Sequence, residues 1–279
     1  MIKIVTDSSA LVSRAEAKKY QITVIPVNIT IGNESFQDTV NMNGRKLIDF
    51  MAHHKKPFPT TSQPSIGQFV SVYNRLTKDG SQVISIHMTH LLSGTVNAAN
   101  EAAKLADGRI TVVNSHFIDS SLRHMVIVAA QMAQSNRYSV GRIVDHLKTV
   151  KAKSSLFIGA STLDNLVKGG RISKATGLLT RLLNLHVVFS LEDRELKLQI
   201  KGRGKKTFYR WFKRFITQVK GQALSYIGIS YTGSTEFPKF AEAKLHAMYP
   251  KLPIIFRYTS ATVADHTGPN AFAVMICRK

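Results

Sequence analysis

Pro59-Thr60-Thr61-Ser62-Gln63-Pro64-Ser65 is a run of hydroxyls fenced by two prolines, and what flanks it decides the fold. Proline locks φ and pushes its predecessor away from the helical region, so the segment reads as a stiff loop and not a tether. Just beyond it, Phe69, Val70, Tyr73 and Leu76 recur at helical spacing. Ser65 stands where a side chain caps the free N–H groups of that helix's first turn. Hydroxyls held rigidly near a helix N-terminus form an anion pocket. The same residues also fit a capped loop that holds nothing.

The arrangement recurs outward in both directions. Residues 83–86 alternate as a strand and run into Met88-Thr89-His90-Leu91-Leu92-Ser93-Gly94-Thr95, a second hydroxyl cluster followed by a helical pattern over 96–105. Upstream, the apolar run 2–5 ends in Thr6-Asp7-Ser8-Ser9. Asp7 is either the organiser of that loop or the cap of a helix over 10–20. Polar loops at the carboxyl ends of successive strands meet at one end of a parallel sheet, where open α/β folds bind ligands. Between these units, 22–31 is β-rich, Gly32-Asn33 supplies a hairpin turn, and 42–53 reads as a helix with Asn43 as its cap.

Beyond a strand at 109–113, two helices follow over 120–134 and 140–151, the first apolar nearly all round and therefore buried. The βα alternation pauses at 151–154, which divides the chain into domains over 1–152 and 153–279. The second part opens with a strand at 156–159 and a short helix stopped by Gly169-Gly170. Ser173 then caps a predicted helix over 175–185. Strands at 187–190 and 195–200 make a hairpin around Glu192-Asp193, so this half carries a mixed or antiparallel sheet. Strand–helix–strand units close the chain, with a loop at 265–270 before the last strand. The fold class is α/β: an N-terminal mostly parallel sheet flanked by helices and a C-terminal α/β domain.

Residues 201–214 hold seven cations, yet Phe208, Trp211, Phe212 and Phe215 fall on one helical face. Those aromatics read as core and not as a base-stacking platform. The whole chain carries a net charge of +21 across 279 residues, with 44% apolar and 20% charged side chains. Such a balance favours nucleic acid, an anionic membrane surface or an acidic protein as partner without choosing between them. The N-terminus turns polar after four residues, no apolar run approaches the roughly 20 residues needed to span a bilayer, and Cys277 is the only cysteine. Together these predict a cytoplasmic protein without internal disulfides.

Few catalytic signatures are present. There is no P-loop, and Gly202-Arg203-Gly204 lacks the third glycine of a dinucleotide fingerprint. His87 and His90 stand close in sequence, but without clustered cysteines or carboxylates no metal site is expected. Ser93, His266 and Asp7 complete a hydrolase triad on paper, although Leu-Ser-Gly-Thr is not a nucleophile elbow.

Five motifs occur together in order: Thr6-Asp7-Ser8, Pro59 to Ser65, Leu92-Ser93-Gly94-Thr95, Leu163-Asp164 through Lys168-Gly169-Gly170-Arg171-Ile172, and His266-Thr267-Gly268-Pro269. In this set and spacing the chain resembles the DegV family over essentially its whole length. The resemblance implies a two-domain α/β protein holding one long-chain fatty acid between its domains and needing no cofactor. It further implies a non-enzymatic subunit of a bacterial fatty acid kinase, one that presents the carboxylate to a separate ATP-dependent kinase and so feeds phospholipid synthesis. Carried over by motif, Thr61, Ser93 and His266 would hold the carboxylate, with Asp7, Ser62, Gly94, Thr95 and Gly268 shaping the loops around it. Arg171 and Arg203 would face the kinase.

Burying roughly 15 methylenes at about 0.8 kcal/mol each gives a gross gain on the order of 12 kcal/mol, so the head group need only orient the ligand. Three departures accompany the resemblance: Asn270 where the family usually has glycine, Asn114 where it usually has an acid, and the high charge. That charge admits transient contact with an anionic membrane surface. The competing readings are a basic nucleic-acid-binding protein and, on the paper triad, a serine hydrolase.

Overall fold

Buried β-branched runs and amphipathic helices alternate from the first residue, and the computed structural model describes residues 1–54, 56–176 and 185–279. The first part runs β1 (Ile2–Asp7), α1 (Arg14–Tyr20), β2 (Ile22–Ile25), β3 (Asn28–Ile31), β4 (Glu34–Gln37), α2 (Gly44–His53), β5 (Thr60–Ser62), α3 (Ile66–Thr77), β6 (Gln82–His87), α4 (Thr95–Leu105), β7 (Ile110–Asn114), α5 (Asp119–Gln134) and α6 (Val140–Lys153). It continues with β8 (Ser154–Ala160), α7 (Asp164–Lys168), β9 (Ala175–Thr176), β10 (Leu185–Leu191), β11 (Leu196–Arg203), α8 (Lys206–Val219), β12 (Leu224–Tyr231), α9 (Glu236–Met248), β13 (Ile254–Tyr258), α10 (Ala261–Thr267) and β14 (Phe272–Arg278).

The strands form three sheets. The first is wholly parallel in the order β2-β1-β6-β7, and the second is a small antiparallel sheet, β4-β3-β5. The third is mixed, in the order β13-β12-β14-β8-β10-β11-β9. Helix α5 packs on β1 and β6 of the parallel sheet and on β8, β12 and β14 of the mixed one. Its buried Leu122, Met125, Val126, Ala129 and Ala130 belong to one hydrophobic cluster with Ile4, Ile84, Leu156 and Met275. The all-round apolar character of α5 thus reflects burial between two sheets. In α8 Phe208, Trp211, Phe212 and Phe215 are at most 5% exposed while Lys206, Arg210, Lys213 and Arg214 face solvent. Phe157 and Phe272 close over that aromatic face. Among the described residues no helix is long and apolar enough to cross a membrane.

Four expectations are corrected. The helix expected over 10–20 begins only at Arg14, because Leu11 takes a left-handed φ of 53° after a 3-10 turn at Ser8–Ala10. Ser13 and Glu16, not Asp7, make its capping box. The stiff loop over 59–65 contains the edge strand β5, whose Thr60, Thr61 and Ser62 pair with Thr30, Ile29 and Asn28. Its prolines lie just outside the paired residues, where a missing N–H costs no ladder bond. The helix expected over 175–185 is contradicted at both ends: Ala175–Thr176 extends the outer edge of β11, and Leu185 opens β10. Residues 177–184 lie outside the described residues. Finally, Asp265, His266 and Thr267 are not in a loop but in the last turn of α10, which Ser260 caps.

Candidate functional site

The head of the site is built where the small antiparallel sheet meets α10. Helix α10 owes its position to Asp38, a buried carboxylate that accepts from the backbone N–H of Ala261 (2.9 Å), from that of Thr262 (3.3 Å) and from Thr262 Oγ1 (2.6 Å). Ser8, directly after β1, donates to the same carboxylate at 2.9 Å. Asp38 thereby satisfies the first-turn donors of α10. At the other end of the helix Gly268 (φ 72°) closes the turn by donating to Ala264 O. Asn165 of α7 donates to the Asp265 carbonyl at 2.7 Å.

Held this way, α10 aims His266 at β5, where Nε2 lies 2.9 Å from Thr61 Oγ1. The other side of the ring rests on the backbone of Gly169: a Cβ there would stand 2.1 Å from His266 Nδ1, so only glycine admits the imidazole. Across from Thr61, Ser93 Oγ and Thr95 Oγ1 are 2.9 Å apart at the start of α4, and Ser93 Oγ accepts from the N–H of Thr95. Gln63 lies directly over Gly94, where a Cβ would meet its Oε1 at 1.9 Å. Arg171 donates from Nε to Leu92 O (2.9 Å) and from Nη1 to Gly169 O (2.6 Å), which ties the α7 turn to the Ser93 loop.

These groups form one end of a cleft whose atom-free space, counted out to its mouth, is about 710 Å³. Thr61, Ser62, Gln63, Ser93, Arg171 and His266 line the polar end. The rest of the wall is largely apolar: Val27, Met88, Leu92, Ile118, Ile158, Leu166, Phe189, Leu196 and Val263. A few convergent polar groups at one end of an apolar slot orient an amphiphile while its chain supplies burial. A smaller space shares Ile118, Ile158, Val263 and Thr267 with it and extends towards Asp119 and Phe272.

Burial governs the charges. His266 is pushed down to about 3, first by burial and then by the positive Arg171, so its imidazole is neutral. Asp265, 1% exposed, is pushed up to about 7 by burial, with Arg171 opposing. Neither of its carboxylate oxygens, nor His266 Nδ1, has a hydrogen-bond partner among the described residues. Burial also lowers Arg171, against the pull of Asp265.

The structure brings Thr61, Ser62, Ser93, Arg171 and His266 to a single cavity. Gly94 and Thr95 support the Ser93 turn, and Gly268 ends α10. Asp7 does not line the cavity but accepts from the N–H of Met88, which does. Burial opposes its ionisation, but bonds from His87, Ser9 and Met88 outweigh that and hold its carboxyl below the usual range. Asp7 and His87 are therefore committed to each other, while His90 pairs with Asn114. The paper triad is not assembled, since His266 bonds Thr61 and not Ser93, and Asp7 bonds neither. Arg203 is exposed at the end of β11 and does not line the cavity. Asn270 adopts φ 56°, a left-handed conformation that asparagine tolerates nearly as glycine does, and its Oδ1 accepts from Ser234 N. Sequence reasoning missed Asp38, Thr262, Gln63 and Asp265 as parts of this corner. Gln63 and Asp265 stood inside stretches already singled out, and Asp38 and Thr262 did not.

Comparison with known proteins follows the same outline. Residues 1–279 match the family described as "Uncharacterised protein, DegV family". A DegV domain-containing protein of Streptococcus pneumoniae serotype 4 is 42% identical over 275 residues, covering 99% of this chain and 98% of the relative. Among solved structures, DegV from Bacillus subtilis, described as a fatty acid binding protein, superposes with a TM-score of 0.89. It is 25% identical, and the match covers 100% of this chain and 99% of that one. A DegV family protein from Thermus thermophilus, described by its fatty acid binding, superposes with a TM-score of 0.88 at 25% identity, with coverage of 100% and 99%.

Proposed function

The chain belongs to the DegV family, and from that premise we propose that it binds one long-chain fatty acid in the cleft, carboxylate at Thr61, Ser93 and His266. The observation that carries this reading is one cavity that brings hydroxyl, amide, imidazole and guanidinium groups together with a largely apolar remainder of wall. Solved relatives of the same outline are described as fatty acid binding proteins. The ligand lies between a domain of residues 1–152 and one of residues 153–279.

The donors assigned to the carboxylate, Thr61, Ser93 and His266, are neutral, and the nearby Arg171 already donates to Leu92 O and Gly169 O, so it acts on the ligand through its field and leaves the carboxylate nucleophilic towards a phosphoryl group. The chain is accordingly a carrier that presents its ligand to an ATP-dependent kinase, with Arg171 and Arg203 towards that partner, and it works in the cytoplasm. Its charge of +21 supports transient contact with anionic membrane when ligand is exchanged. Mass spectrometry of the denatured purified protein tests the first step: a stoichiometric fatty acid is expected. An empty protein that also fails to take up added fatty acid overturns the reading. Thr61→Ala and Ser93→Ala test the second, since unchanged acyl phosphate formation with the kinase would remove these hydroxyls from it.

A further inference from the structure

His266 touches the head-group corner through Nε2, and on the far side of its ring lies a carboxyl with nothing to hold. Asp265 is buried, both its oxygens lack partners, and Oδ2 stands 3.9 Å from His266 Nδ1, itself unpartnered. That separation is too long for a hydrogen bond and short enough for the carboxyl's charge to bias where the imidazole keeps its proton. The carboxyl also sits at the carbonyl end of α10, where a negative charge is disfavoured.

Among the described residues the one ionisable side chain packed against α10 is Asp38, whose carboxylate is taken up by Ala261, Thr262 and Ser8 at the first turn, the opposite end of the helix from Asp265. Helix α2 presents Gly44, Leu47, Ile48 and Met51, its Arg45, Lys46 and Asp49 being exposed. Helix α7 presents Asn165 and Leu166, with Asp164 and Lys168 exposed, and β3, β5 and the turn at Ser8–Ala10 contain no charged residue. Arg171, on the turn after α7, is the ionised group whose field reaches Asp265.

We propose that Asp265 is a positioning residue that sets the tautomer of His266 according to whether the head-group site holds an anion. This rests on the fatty-acid reading of the cleft. With the site empty and Asp265 ionised as the counter-charge of Arg171, the imidazole keeps its proton on Nδ1, and Thr61 donates its hydroxyl hydrogen to Nε2. A carboxylate entering the corner takes over the field of Arg171, and Asp265 takes up one proton from solvent. The neutral acid no longer holds hydrogen on Nδ1, so the imidazole carries it on Nε2. Both Nε2–H and the Thr61 hydroxyl then donate to the ligand. On release the proton returns to solvent.

The raised proton affinity of Asp265 supports an exchange near neutral pH. Two measurements test the inference, on the wild type, Asp265→Asn and Asp265→Ala, with thermal melts confirming that the variants fold. In ¹⁵N-histidine spectra of the ligand-free chain, the His266 tautomer is expected to change with pH near 7 in the wild type and in neither variant. A tautomer that is constant in all three, or titrates in all three, overturns the proposal whether or not a fatty acid binds. With myristate as probe, the wild-type dissociation constant is expected to rise by up to about tenfold per pH unit above 7, one proton being taken up per ligand. Asp265→Asn should abolish that slope. A slope retained in the variant overturns the coupling, and failure of myristate to bind any of the three overturns the fatty-acid reading and with it the ligand half of this one.

Discussion

Helix α8 and the head-group corner sit in one molecule and are held together by opposite means. In α8, fourteen consecutive residues carry an aromatic stripe and a cationic stripe, and burial of the first explains nearly everything about its position. The corner is assembled from β5, the Ser93 turn, the turn after α7 and the last turn of α10, and its central hydrogen bond joins residues 205 positions apart. One region spends apolar area on stability. The other holds buried polar groups in neutral or unpaired states, which costs stability and is consistent with the anion site proposed above.

The contrast is broken most severely by emptying the first region. Trp211 stacks on Phe215 at 5.3 Å and contacts Phe157 and Phe272. Trp211→Ala should cost about 3–5 kcal/mol in urea unfolding. The fraction that remains folded should bind myristate with unchanged affinity. A parallel loss of affinity would mean that α8 and the corner are not independent.

The second effect reverses the sign of a common expectation. Asp265 is raised from its ordinary 3.8 to about 7, so the folded chain keeps a proton that the unfolded chain releases between about pH 4 and 7. Stability attributable to this group is present below pH 4 and is lost as pH rises through that window. At about 1.4 kcal/mol per pKa unit the loss approaches a few kcal/mol. Because Asp38 and Asp119 are raised by burial as well, the measurement is the difference in pH slope between wild type and Asp265→Asn. Equal slopes would show that Asp265 is not held neutral in the folded state.

How much of each region could be read in advance follows from its physics. The stripes of α8 and the Ser65 and Asn43 caps are encoded within short windows, the parallel order is implied by the repetition of β-loop-α units along the chain, and each is present. The corner is not local. Thr61 and His266 were named together because five motifs resemble one family, not because any periodicity joins them. Strand β5 escaped because it is three residues long and its own Thr60, Thr61 and Ser62 are all polar, which leaves no alternation to detect. Helix α10 escaped because all but one of its seven residues are buried, so no polar face marks its period. Asp38 had no signal at all: its value lies in two N–H groups more than 220 positions away.

A milder change sharpens the description of the corner. Thr61→Ala removes one donor to an anionic ligand, a contact worth about 1.5–3 kcal/mol, so the dissociation constant for myristate should rise roughly ten- to hundredfold. Because Thr61 lies on an edge strand and is only half-buried, the melting temperature should move little. A large drop in stability with unchanged affinity would assign the hydroxyl to the fold and not to the ligand.

The smallest effect is expected where the charge is greatest. Lys213 and Arg214 are exposed on α8, and neither pairs with an acid among the described residues. No Asp or Glu occurs between Glu195 and Glu236 to offset the cations around them. Lys213→Glu with Arg214→Glu should therefore change unfolding free energy by no more than about 0.5 kcal/mol and leave myristate affinity untouched. A clear loss of folding would mean that the cationic stripe contributes to the structure. If instead only salt-sensitive retention on anionic vesicles falls, the two faces of α8 have separate tasks, the aromatic one fixing the helix and the basic one available to a partner.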